Sequence, residues 1–193
     1  MKTNGLTEKE TLIEVIKLYN MGFDFNARCD RAAYVLSVSM NYPNLGDFVH
    51  HKFAHNIVGD NFSDKIEHYG ELRHDLFYRD AIEVHSEDYN SISDLFESLV
   101  FAVVDIQNQC LKTIHVAAEK NDLGYEDLLR EINKDYITIL LKQCMVLQEA
   151  AKKYDRDNKG YKFEKDFNIY LLDFFKDGDW DVVNKSAIKN KTF

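Results

Sequence analysis

Proline is all but missing from this chain, and glycine is scarce: Pro43 stands alone and there are eight glycines in 193 residues. With few breakers there are few places where a helix must stop, so long periodic segments are expected in place of a turn-rich β architecture. Cysteine is limited to Cys29, Cys110 and Cys144, widely spaced and without a C-x-x-C pair. That excludes a disulfide framework and reads as reduced, mostly buried thiols of an intracellular protein. Positive charge is short as well, with 24 Lys and Arg against 33 Asp and Glu, a net charge of −9 and a pI of about 5.2. A basic face is what neutralises phosphates, so nucleic-acid binding is not expected. No apolar run is long enough to span a membrane, and the opening MKTNGLTEKE has no apolar centre. Neither a membrane span nor a signal peptide is expected, and the location implied is the cytoplasm. A phosphate loop, a dinucleotide fingerprint and a Ser-His-Asp elbow are all absent.

What is present is helical periodicity. Hydrophobic residues make up 45% and aromatics 13% of the chain, enough for one domain with a real core. Thr7-Glu8-Lys9-Glu10 reads as a capping box leading a helix that closes near Gly22. A second helix is expected over 27–40, ending at the Asn41-Tyr42-Pro43 break. Helices over 45–58 and 62–82 follow, then a polar connection over 83–93. Residues 94–120 form a long helix whose run Leu99 to Val104 marks it as the most buried element. The longest helix is expected over 126–154, and a shorter one over 163–175 before an acidic-then-basic tail. The whole of 1–193 is expected to be a single all-α domain: N-terminal helices over 7–41, a bundle over 44–154, and a C-terminal helix with its tail over 160–193. Its core should include Leu99, Val103, Ile106, Ile132, Ile139 and Leu147.

The stretch from Asn41 to Asp80 carries the chemistry. It holds five of the seven histidines, His50, His51, His55, His68 and His74. His51 and His55 are four apart and share a helix face. Glu67, Glu71, His74 and Tyr78 fall at i, i+4, i+7 and i+11, a stripe roughly 60° wide. Imidazole together with carboxylate suits iron, zinc or manganese. His51, His55, Glu67, Glu71 and His74 are therefore the candidate metal ligands, brought together if the two helices form a hairpin. The bland alternative is a hydrogen-bonded polar stripe facing water or a neighbouring subunit. His50, His68, His85 and His115 read as surface or satisfied histidines.

Two pieces of the chain resemble the ferritin-like superfamily, in its Dps-type mini-ferritin branch. His55-Asn56-Ile57-Val58-Gly59-Asp60-Asn61-Phe62 is similar to that family's turn into its second helix. Residues 118–129, AEKNDLGYEDLL, are similar to its turn between the third and fourth helices. The resemblance covers about residues 45–153. It implies a four-helix bundle with one crossover, iron oxidation and storage or stress protection, and a homo-oligomer. It also implies that His55 is a metal ligand. Asn56 stands where the family has tryptophan, and Ile66 where its second ligand histidine would fall.

An ordinary di-iron bundle needs two E-x-x-H motifs, and Glu71-Leu72-Arg73-His74 is the one this chain supplies. Gln107, Asp135 and Gln143 lie on the apolar faces of the later helices, with no glutamate placed to bridge metals. Asp155 to Asp166 partly fits a calcium loop, but Lys159 and Lys162 oppose it, so a helix–turn–helix corner is expected. His51, the His74-Asp75 pair and Asp135 give a weaker likeness to a metal-dependent phosphohydrolase. Two function classes follow. One is a ferritin-like metal-binding protein, a ferroxidase if it is an enzyme. The other is a non-enzymatic helical module for oligomerisation or partner binding.

Overall fold

The computed structural model describes residues 9–54, 65–66 and 85–175. Among these, every regular element is helical and no strand occurs. The chain is an all-α protein.

Helix α1 spans Lys9–Tyr34 and continues through a π-helical turn, Val35–Ser39. Two separate helices were expected here, with a stop near Gly22, and they are one. A single glycine inside a helix costs only about 1 kcal/mol relative to alanine. Burial of Leu18, Tyr19 and Phe25 around it outweighs that, and Gly22 lies on the same buried face. Asn41, at φ 61°, then turns the chain. Helix α2, Pro43–Phe48, begins with proline in its first turn and runs on as π-helical backbone over 49–54. Gly46 lets α2 close onto the end of α1. A Cβ at that position would stand 2.0 Å from Ser37 Oγ and 2.7 Å from the Ala33 carbonyl oxygen.

Helix α3, Ile92–Glu119, starts two residues before the expected Asp94 because Ser91 is its cap. The Ser91 hydroxyl accepts the Asp94 N–H at 3.1 Å. Helix α4 (Leu123–Ile132), a π-helical turn (Asn133–Ile137) and α5 (Thr138–Arg156) follow without interruption. They make up the long helix expected over 126–154. The side-chain amide of Gln107 on α3 spans the π turn, donating to Asn133 Oδ1 at 3.4 Å and Thr138 Oγ1 at 3.2 Å. Helix α6, Gly160–Phe175, begins three residues earlier than expected.

The centre of the molecule is α3. Helix α1 packs along one flank of it and α5 along the other, while α6 packs on α5 and α2. The N-terminal helix, expected as an addition to the bundle, belongs to its main packing. All six expected core residues, Leu99, Val103, Ile106, Ile132, Ile139 and Leu147, are buried. The run Leu99 to Val104 is not buried throughout: Phe101 is 63% exposed, because successive helical residues turn by about 100°. The helix expected over 62–82 lies outside the described residues apart from Lys65 and Ile66, and Ile66 is in the core.

Leu99 sits in full burial between the flanking helices, so Leu99→Ala should cost about 2–5 kcal/mol by cavity formation. Urea denaturation monitored by circular dichroism measures it. A loss below about 1 kcal/mol would mean the site is not the packed centre described here.

Candidate functional site

Of the five expected metal ligands, His51 alone falls among the described residues; His55, Glu67, Glu71 and His74 lie outside them. The His51 side chain is 58% exposed, and its Nε2 lies 3.2 Å from Asp47 Oδ1 one turn earlier. Its ring meets that of His50 edge-on at 4.7 Å, and His50 Nδ1 in turn lies 2.7 Å from Asp30 Oδ1. Among the described residues, no three His, Cys, Asp or Glu side chains are grouped so as to hold a metal ion. The hairpin that would join the two stripes is likewise outside them.

The cysteines offer no nucleophile. All three are buried, and burial pushes each thiol up, Cys110 to about 12. The segment expected to be a corner and not a calcium loop is one. Helix α5 ends at Arg156 and α6 starts at Gly160, so the later positions of the loop pattern are helical. Asp155, the first would-be ligand, accepts the Ser93 N–H at 2.8 Å and so caps α3. Asn158, at φ 51°, makes the turn.

Two polar clusters that composition and periodicity did not single out join α1 to its neighbours. The first centres on Glu14, whose side chain is 12% exposed. It accepts from Lys17 Nζ at 2.7 Å, Gln109 Nε2 at 2.8 Å and Lys112 Nζ at 2.9 Å. Burial alone would push its carboxyl up. The three donors outweigh burial and hold it at about 2, against an ordinary 4.5. The second centres on His85, 3% exposed, in the connection before α3. Its Nε2 faces Asp24 Oδ1 at 2.8 Å, and its Nδ1 faces Glu87 Oε1 at 3.1 Å. Arg28 lies 3.3 Å from Asp24 and 3.7 Å from Glu87. Burial pushes the Glu87 carboxyl up, but its own backbone N–H, His85 and Arg28 bring it below the ordinary range. His85 is thus a satisfied histidine, as expected, and it straps the connection to α1.

That leaves the surface. Between α1 and α3 lies an open cleft of about 280 Å³, floored by Phe25, Ala102 and Ile106 and rimmed by Asp24, Arg28, Phe101 and Asp105. From its lip the outer face of α3 runs through Phe101, Asp105, Asn108, Leu111, Lys112 and His115, all exposed. Phe101 at 63% and Leu111 at 50% are unusually open for large apolar side chains on the central helix of a bundle. Phe101, Asp105, Asn108 and Lys112, at i, i+4, i+7 and i+11, were the available signal, hidden by the more apolar run beside them. No described helix is long and apolar enough to cross a membrane. No protein-family model matches this chain, and no curated protein is significantly similar to it.

The Glu14 cluster sets a pH dependence. A carboxyl held below its unfolded value stabilises the fold above about 4.5, and that contribution is lost as pH falls from there towards 2. Glu14→Gln should therefore flatten the acid limb of the stability profile by close to one proton. Urea midpoints measured between pH 5 and pH 2 (about the two ends of that range) decide it. An unchanged slope in the variant would show that Glu14 is not so held.

Proposed function

We propose that this chain is a helical interaction module that self-associates through the outer face of α3. Support comes first from Phe101, a large aromatic side chain left 63% exposed in the middle of the helix around which the core is built. Leu111, nearly three turns further on and about 80° round the helix, is 50% exposed. Exposed apolar side chains at one face of a rigid element favour contact with another chain, because burying them releases about 25 cal/mol for each Å² removed from water. Several groups that could serve catalysis are otherwise engaged among the described residues. His85 is held between two carboxylates, Glu14 is held by three donors, and the thiols are buried.

A ferritin-like bundle holding iron, zinc or manganese through His51, His55, Glu67, Glu71 and His74 is the competing proposal. It rests on four residues outside the described ones and on an exposed His51 already beside Asp47.

One set of measurements separates the two. Light scattering of the full chain should give a dimer or larger species, and Phe101→Ser with Leu111→Ser should shift it towards the monomer. Because both side chains are exposed, the double variant should keep its stability to within about 0.5 kcal/mol per site. Elemental analysis after exposure to Fe(II) or Zn(II) completes the test. Stoichiometric metal that disappears in Glu71→Ala with His74→Ala would favour the metal protein instead.

A further inference from the structure

Resting on that self-association reading, we infer that the contact between copies is isologous, with two α3 helices packed antiparallel across a two-fold axis at Asn108. Phe101, Asp105, Asn108, Lys112 and His115 fall at i, i+4, i+7, i+11 and i+14, a stripe about 80° wide and about 21 Å long. All five are exposed. The alternation of four- and three-residue steps is the spacing by which one helix keeps a single seam against another.

The order of charges along the stripe decides the direction of packing. Asp105 stands before Asn108 and Lys112 after it. Asp105 has no ion-pair partner among the described residues. Lys112 donates to Glu14 at 2.9 Å, and an ammonium carries three N–H groups, so two remain for another acceptor. A parallel pairing would set Asp105 against Asp105 and Lys112 against Lys112, with like charges opposed twice. An antiparallel pairing about Asn108 sets each Asp105 within one residue of Lys112 of the second copy, twice over by symmetry. The same operation brings Phe101 opposite His115 of the second copy, one helical turn beyond Leu111. Asn108 meets its own copy at the axis, where an amide suits itself because it carries both donors and an acceptor.

The test is a charge swap in the full-length chain, read by analytical ultracentrifugation. Asp105→Lys should weaken the dimer about tenfold, since each copy turns an attractive pair into a repulsive one. Adding Lys112→Glu in the same chain should restore most of that affinity. Lys112 also holds Glu14, so its substitution can loosen the fold, and a second measurement avoids this. Asn108→Cys, exposed while the three native thiols are buried, should oxidise rapidly to a disulfide-linked dimer. A wild-type chain that stays monomeric sinks the self-association reading itself. A dimer that neither responds to Asp105→Lys nor cross-links through residue 108 sinks only the antiparallel pairing.

Discussion

The fold depends on taking one full-length face of α3 out of water. Ile92, Leu95, Phe96, Leu99, Val103, Ile106, Cys110, Ile114 and Ala117 of α3 are all buried, and no single neighbour could cover them. Helix α1 covers one side and the α4–α5 segment the other. At about 1.5–3 kcal/mol for each large apolar side chain fully buried, this face outweighs any one polar contact in the molecule. Burial is non-directional, however, and does not by itself fix how far α1 or α5 slides along α3. The polar contacts supply that register. Glu14 ties α1 to Gln109 and Lys112, Gln107 ties α3 to the π turn before α5, and Asp155 caps α3 at its start.

Glu14 and His85 are structural in this sense. A carboxylate that accepts three donors, or an imidazole held between two carboxylates, is already satisfied, and turning it to a substrate would first cost those contacts. The strap at His85 is informative in this respect. It lies in a connection with no helical hydrogen bonds of its own, where an ordered segment must be held by side chains. Arg31 adds to it, donating to the Glu87 carbonyl oxygen at 3.2 Å and to Asp88 at 3.0 Å. The connection is thereby fixed against α1 right up to the Ser91 cap, which sets where α3 begins.

The sequence carried the helical class, the helix count after residue 90 and the six core positions, because 3.6-residue periodicity reports a buried stripe directly. Boundaries were less legible. Glycine is the usual stop signal, yet Gly22 interrupts nothing, and among the described residues the non-glycine left-handed positions are Asn41, Asn121 and Asn158. At two of them the backbone closes the helix end as a glycine would, with Asp122 N–H on the Ala117 carbonyl oxygen at 2.8 Å and Lys159 N–H on that of Tyr154 at 2.8 Å. Asparagine tolerates this conformation, so a glycine-poor chain can still turn sharply. The polar clusters were not legible at all. Glu14 and Gln109 are 95 positions apart, and His85 and Asp24 are 61 apart. Local spacing says nothing about pairs that only the packing of α1 on α3 brings together. The histidine-rich stretch poses the same limit: helical spacing between Glu67 and His74 leads one to expect a shared face, but says nothing of what it meets.

A net charge of −9 sets a last condition on any self-association. Two such copies repel at long range, although salt screens this beyond about 8 Å under physiological conditions. Contact then favours a patch where the local balance differs from the global one. The outer face of α3 is such a patch, since Asp105 and Lys112 carry opposite signs within two turns. Apolar side chains without charge balance would attract any exposed surface, and charge balance without apolar area would contribute little in water. Phe101 and Leu111 supply the area, and the opposite signs on either side of Asn108 supply the direction. In the proposed self-association, that combination would let an acidic chain discriminate a second copy, correctly oriented, from the other surfaces it meets.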